Sequence, residues 1–358
     1  MPKMTIFNQL KNNILARLGA LILLILYLSV IAADFIAPYD SYSSQLDSSL
    51  LPPTQVHWHN SQGYLTWPYV YPTIQSPTNL KTGDRPLKVD NNSPCAIVFG
   101  IRGSSYNILG FSLDRHLFGV KGKARINLLG TDEQGRDQFS RLLFGGRVSL
   151  FVGLLGILIS FPIGLLIGGI SGYFGGWIDA TLMRLVEILM TIPSLYLLVA
   201  LAAVLPMSIT STQRFLLIVL ITSLISWSGL ARVIRGQVLS LKEQEFVQAA
   251  KAMGAGSFYI IYRHILPQTA SYIIISATLS IPSFIIAESV LSFLGLGIQQ
   301  PDPSWGNLLS LASNASVLVL QPWLIWPPTV LIISTVLAFN LLGDSLRDAL
   351  DPRSLGKN

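Results

Sequence analysis

The chain has 358 residues, of which 51% are hydrophobic and only 12% charged, with a formal net charge of +6. An ordinary soluble domain has about a quarter of its residues charged, so this composition excludes a plain soluble globule and points to a bilayer. Cys95 is the single cysteine, which excludes an intrachain disulfide and a cysteine-held zinc site.

A helix needs about 20 apolar residues to cross a membrane, and six such runs are present, at 14–36, 148–170, 182–205, 215–231, 269–294 and 323–342. The predicted fold is therefore an all-α polytopic membrane protein with six transmembrane helices. A long extracytoplasmic cap lies between the first and second. Lys3, Lys11 and Arg17 precede the first span, Arg232, Arg235, Lys242, Lys251 and Arg263 lie between the fourth and fifth, and Arg347, Arg353 and Lys357 follow the sixth. With six spans these regions share one side, which the positive-inside rule makes cytoplasmic, N- and C-termini included. The net charge is thus explained by topology and needs no nucleic-acid partner.

The first span resembles a secretory signal in its basic start and in the Ala32 and Ala33 that end it, but its apolar stretch is long for one, so an uncleaved anchor is expected. In the cap, prolines alternate with aromatics (Pro52, Pro53, Trp58, Trp67, Pro68, Tyr69), and short strands are predicted at 97–99 and 108–111. His57 and His59 could share a strand face, but no third ligand is fixed nearby, so packing is expected there and no metal site. The cap ends in LGTDEQGRDQFSR, residues 129–141. Gly130, Thr131, Asp132 and Gly135 read as a turn, with Arg136 following. Asp137 and Arg141 have the spacing of an i,i+4 ion pair at a helix start.

Within the spans, Gly153, Gly156, Gly164 and Gly168 allow close helix approach. Pro193 and Pro282 are expected to bend the third and fifth spans. Arg184 and Glu187, one turn apart, are expected to pair at the cytoplasmic interface. Glu288 is the charged residue deepest in a predicted span and is a functional candidate by default. Asp344, Arg347 and Asp348 are read as a C-terminal anchoring network.

Between the fourth and fifth spans runs EFVQAAKAMGAGSFYIIYRHILP, residues 245–267. Ala249 and Ala250 are small enough for close contact, Gly254 can take the left-handed conformation that ends a helix, and Pro267 can start the next one. A short helix, a turn and a helix entry are expected.

This segment resembles the EAA loop of permease subunits in bacterial ABC importers. The 129–150 string, WSGLARVIRGQ at 227–237, ESVLSFLGLG at 288–297 with Pro303, Ser304, Trp305 and Gly306, and FNLLGDSLRDALDP at 339–352 are similar to the dipeptide and oligopeptide branch of that family. The likeness weakens between 38 and 127. Two positions depart from the family pattern, Gln248 where Glu is usual and Asn127 where His is frequent.

The resemblance implies four regions: an N-terminal stretch and first helix (1–37), the cap (38–144), a permease core (145–343) with its cytoplasmic loop (236–267), and a cytoplasmic tail (344–358). It implies that Glu245, Phe246, Gln248, Ala249, Ala250, Met253, Gly254 and Pro267 belong to an ATPase-coupling loop, with Phe246, Ala249, Ala250, Met253 and Gly254 as the docked surface. Gly130, Thr131, Asp132, Gly135, Arg136 and Asp137 would form an extracytoplasmic motif, and Glu288 a structural or gating site. No phosphate-binding glycine loop is present, so the chain is read as a transport subunit and not an enzyme. No cofactor is expected on it, with ATP and Mg bound by partner ATPases. Implied partners are a homologous second permease, two cytoplasmic ABC ATPases and an extracytoplasmic substrate-binding protein, assembled in a bacterial inner membrane. Substrates implied are peptides, with nickel chelates or oligosaccharides as alternatives. A stand-alone channel or ion-coupled carrier is a further alternative, marked by transport that survives ATP depletion, as is a scaffold that binds a partner through its cap.

Overall fold

The computed structural model describes residues 9–45, 48–60, 62–76, 86–108, 110–206 and 209–350. Lys3, Arg353 and Lys357 of the charge pattern and Pro352 of the C-terminal motif lie outside the described residues. Wherever the sequence is continuously apolar the backbone satisfies itself as helix, which hydrocarbon demands. The helices are α1 (Ile14–Ile31), α2 (Gln138–Phe174), α3 (Gly176–Thr191), α4 (Ser194–Ala203), α5 (Ser211–Leu241), α6 (Glu245–Ala252), α7 (Ala270–Phe293), α8 (Trp305–Leu309) and α9 (Trp326–Leu350), with shorter turns between them. Among the described residues, five segments are long and apolar enough to cross a membrane: α1, α2, α5, Ser257–Phe293 and Pro322–Leu350. The pair α3 and α4 makes a sixth, bent by 83°.

The bend expected at Pro193 is present, and it parts the 182–205 run into two helices, α3 and α4. Pro193 has no N–H to give the helix ladder, and it forces its predecessor Ile192 into an extended conformation, ψ 125°. Pro282, by contrast, sits inside α7 without ending it.

The backbone divides into two compact units. One holds Met1–Leu24, Leu150–Leu291 and Ile333–Asn358. Its core joins Phe161 of α2, Leu230, Ile234 and Val238 of α5, Val247 and Ala250 of α6, and Ile260 and Ile265. A second cluster sets Val186 of α3 against Trp227 and Ala231 of α5.

The other unit holds Ile25–Ser149 and Ser292–Ile332. It contains a four-stranded antiparallel sheet in the order β1 (His57–His59), β2 (Leu65–Val70), β5 (Cys95–Ile108), β6 (Phe111–Val120). A separate pair joins β3 (Thr73–Gln75) and β4 (Leu87–Val89). The expected strand at 108–111 is divided between two: Ile108 ends β5 and pairs with Phe111, which begins β6, and Gly110 carries a positive φ of 89°. His57 stacks on Tyr69 and meets Tyr71 edge-on, so it packs as expected. Val70, Cys95, Ile97, Ala124 and Ile126 form the small core beneath the sheet.

Candidate coupling and gating site

The segment after α5 folds as its residues dictate. Helix α6 spans eight residues and ends at Gly254, whose φ of 83° is left-handed and unstrained only for glycine. The chain re-enters helix at Ser257–Tyr259 and passes through a π-helical turn, Ile260–Ile265, and a 3-10 turn, Leu266–Thr269. Pro267 accounts for the wide turn. It cannot donate to the carbonyl four residues back, and the preceding Leu266 N–H bonds Ile261, five residues back.

The two faces of α6 differ sharply. Val247 is fully buried and Ala250 is 1% exposed, both packed beneath α2 and α5. Glu245, Phe246, Gln248, Ala249, Met253 and Gly254 are exposed. The expectation that Ala249 and Ala250 both form the docked surface is therefore corrected: adjacent helical positions point about 100° apart, so Ala250 is an anchor. Met253, 81% exposed, stands proud at the end of the helix. Gln248 donates from Nε2 to the Lys242 carbonyl at 3.0 Å, tying α6 to the end of α5. Pro267 is exposed at the span entry.

Next to α6, α2 and α5 touch backbone to backbone. A Cβ on Gly164 would lie 3.0 Å from the Trp227 carbonyl oxygen, on Gly168 2.5 Å from that of Ala231, and on Gly172 2.7 Å from that of Arg235. Both rows advance four residues at a time, so the helices meet along matched ridges. Gly153 and Gly156 make similar room for Ile281 and Phe284 of α7. At the end of this seam Arg235 clasps Asp179 of α3, with Nε 3.0 Å from Oδ1 and the second guanidinium nitrogen on Oδ2. Ser171 of α2 also donates to Asp179. Three helices share one carboxylate. Sequence reading named Arg235 but missed Gly172 and Asp179. The four-residue spacing of Gly164, Gly168 and Gly172 was the available signal for the first, and nothing local marked the second.

Glu288 of α7 is fully buried. Arg184 and Glu187 do pair, at 3.4 Å, on an exposed face of α3. Among the described residues no ion pair joins Asp344, Arg347 and Asp348.

In the second unit the 129–141 string closes on itself and on residues 298–307. Gly130, φ 73°, brings the chain so near the Leu51 carbonyl that a side chain would collide. Thr131 donates to the Ser48 carbonyl and accepts from the Leu51 N–H at 2.8 Å. Asp132 is the hub: Oδ1 accepts the Gln134 and Arg136 N–H groups at 2.9 Å each, and Oδ2 accepts Arg136 Nε at 2.7 Å. Arg141 Nε lies 3.3 Å from the same oxygen. Gly135 turns the loop with φ 71°.

Here the expected Asp137–Arg141 ion pair is overturned. Asp137 is the N-cap of α2, its Oδ2 accepting the N–H and hydroxyl of Ser140 at 2.7 Å each. Arg141 turns instead to Asp132 and to the Ser41 and Pro301 carbonyls at 3.1 and 2.9 Å, and to Gln300 Oε1 at 2.9 Å. A carboxylate at the cap is held by its own helix's orphan N–H groups, leaving the arginine to a partner distant in sequence. Burial pushes the Asp137 carboxyl up to about 6, against the opposing pull of the Ser140 hydrogen bonds and Arg125. Trp305, fully buried, donates from Nε1 to the Leu142 carbonyl at 2.9 Å and from its backbone N–H to Ser149 Oγ at 3.1 Å, so α8 is fixed onto α2.

Residues 164–355 match the family model of the binding-protein-dependent transport system inner membrane component, and residues 4–53 match that of the N-terminal TM domain of oligopeptide transport permease C. The dipeptide transport system permease protein DppC of Bacillus subtilis is 35% identical over 347 residues, 97% of this chain and 84% of that protein. The oligopeptide transport system permease protein OppC of Haemophilus influenzae is 44% identical over 227 residues, 63% of this chain and 70% of that protein. The glutathione transport system permease protein GsiD of Pectobacterium atrosepticum is 40% identical over 233 residues, 65% of this chain and 75% of that protein. Helix α6 with its buried anchors and the glycines 164, 168 and 172 lie within the matched residues 164–355, and the chain belongs to the binding-protein-dependent transport system inner membrane component family, in the dipeptide and oligopeptide permease branch, as a permease subunit of an ABC importer.

Proposed function

We propose that this subunit carries peptides across the bacterial inner membrane by alternating access, as one half of a heterodimeric pathway with a homologous permease. Two cytoplasmic ABC ATPases bind and hydrolyse ATP with Mg. An extracytoplasmic substrate-binding protein delivers the peptide. The N- and C-termini and α6 lie on the cytoplasmic side, and the sheet-bearing cap, residues 38–144, on the other. The Gly130–Asp137 motif braces the outer end of α2, and Glu288 holds α7 in place as the helices rock.

The observation that carries the reading is the two-faced seat of α6. Val247 and Ala250 lock it into the core of the first unit, while Phe246, Ala249 and Met253 offer a free apolar and small-residue face. A load applied there is borne by α2 and α5 as well as by the entry to α7. Driving a two-state pathway from about 1:99 to 99:1 takes roughly 5.5 kcal/mol of differential binding, which a packed helix transmits and a loose tether does not. The substrate class follows the relatives, which are dipeptide, oligopeptide and glutathione permeases.

The test is purification of the tagged subunit from its native membrane in mild detergent, with copurifying chains identified, beside ATP-dependent uptake of trialanine into cells. Recovery of a second permease and ATPase subunits, with uptake that stops on ATP depletion, is the expected result. A subunit recovered alone, under conditions that hold a control transporter together, overturns the reading. Uptake of a nickel chelate or an oligosaccharide but not of trialanine would replace the substrate class and leave the machine standing.

A further inference from the structure

We infer that the exposed face of α3, from Thr181 to the break at Pro193, lines a water-filled path and receives the two charged ends of a peptide, Arg184 taking the carboxylate and Glu187 the ammonium.

This inference rests on the peptide-importer reading and names the part of the subunit that meets the cargo. Arg184 and Glu187 are 78% and 58% exposed and lie in a segment apolar enough to count as half of a span. Ionised groups do not face hydrocarbon without a large penalty. Thr181, Arg184, Glu187 and Thr191 are all exposed and follow one another at helical spacing, so the polarity forms a stripe. The opposite face is spoken for: Val186, with Met183 and Leu189, packs on Trp227 and Ala231, and Asp179 is held by Arg235.

The break is an independent sign. Every residue from Thr191 to Tyr196 is exposed where the helix is interrupted and turns through 83°. Freed backbone groups at membrane depth are tolerated only against protein or water. A polar stripe that runs into a broken helix is therefore turned away from lipid.

The chemistry of the pair suits a zwitterion. A guanidinium offers a planar fork to a carboxylate, and a carboxylate accepts an ammonium with charge-assisted hydrogen bonds. At 3.4 Å and exposed, Arg184 and Glu187 hold each other weakly enough to exchange partners. Both ends of a peptide would thus be recognised by groups already neutralising one another in the empty pathway.

The experiment uses the assembled transporter in lipid nanodiscs, with Cys95→Ser removing the native thiol. Thr191→Cys and Ser194→Cys are each exposed to a charged methanethiosulfonate reagent. Both are expected to react at least about tenfold faster than Leu158→Cys, an apolar control exposed on α2, and to be slowed by millimolar trialanine. In uptake assays Arg184→Gln is expected to abolish the preference for trialanine over trialanine amide, and Glu187→Gln the preference over N-acetyl-trialanine. A merely structural pair would lower all three uptakes alike. Unreactive cysteines at 191 and 194 mean that lipid or the second permease covers this face, and the path assignment falls. Reactivity with unchanged end preferences overturns the recognition of the charged ends. Failure of the wild type to import any of the peptides strikes the importer reading, while the labelling still reports on the path.

Discussion

Gln248 donates its side-chain Nε2–H to the carbonyl oxygen of Lys242 at 3.0 Å, and the bond needs an amide. A glutamate at this position has no donor when ionised and would set its charge against the carbonyl. Gln248 thus ties α6 back to α5. Because the site is exposed, the bond is worth at most about 1 kcal/mol. Gln248→Glu is expected to lower the thermal midpoint of the purified complex by about 2 °C while keeping its ATPase subunits. Loss of those subunits from an otherwise stable variant would instead put Gln248 in the docking contact.

Ala250 and Met253 separate anchoring from docking. Ala250→Arg forces a charge into a site that is 1% exposed, a change of the kind that costs several kcal/mol, on the order of 3 or more. Met253→Glu changes a residue that is 81% exposed and is expected to leave stability within about 0.5 kcal/mol. Copurification and thermal midpoint measured together should show Met253→Glu losing ATPase subunits from a fully stable permease, and Ala250→Arg losing the fold. ATPases retained by Met253→Glu would remove it from the interface.

The glycine seam makes a steric prediction. Gly168→Ala places a methyl 2.5 Å from the Ala231 carbonyl oxygen, whereas Gly229→Ala meets nothing within 4 Å. The first should destabilise by about 1–3 kcal/mol, as overpacking does. The second should be neutral or slightly stabilising through helix propensity. Equal thermal midpoints for the two variants would show that α2 and α5 do not approach as closely as described.

Asp137 ties stability to pH. Its carboxyl is raised from 3.8 to about 6 by burial, so the folded state holds the proton that the unfolded chain has already released. The stabilisation from this group is full below about pH 4 and is lost as pH rises through about 6, a difference of roughly 3 kcal/mol. Asp137→Asn keeps an oxygen for the Ser140 N–H and removes the titration. Thermal midpoints followed from pH 4 to 7 are expected to fall more steeply in the wild type than in the variant. Parallel curves would place the pH response elsewhere.

Asp132 should be far less forgiving. Both Arg136 and Arg141 lie against its Oδ2, at 5% and 0% side-chain exposure. Asp132→Ala leaves two buried guanidinium groups short of their counter-ion, a loss of about 3–5 kcal/mol. The expected outcome is a sharp drop in folded yield by size-exclusion profile, and a monodisperse, thermally unchanged variant would show that the hub is dispensable.

The sequence by itself determined what depends on composition and on neighbours along the chain. Continuous apolar runs made spans, and the small residues and Gly254 of the 245–267 segment made a short helix, a turn and a re-entry, because backbone in hydrocarbon has no choice but helix and a left-handed turn has little choice but glycine. The motifs of the permease branch were legible in the same way, as ordered strings. The tertiary structure alone decided which residue answers which. Arg141 was matched by spacing to Asp137, yet the cap's own helix claims that carboxylate and Arg141 goes to Asp132, nine residues away, and to Gln300 and Pro301 far along the chain. Ala249 and Ala250 read alike, but the 100° step between them puts one in solvent and the other in the core. Asp179 was silent in the sequence, because a lone acid at a helix start acquires meaning only when Arg235 and Ser171 arrive from two other helices. Local patterns fix what a segment becomes; pairing across the fold depends on distances that no single segment contains.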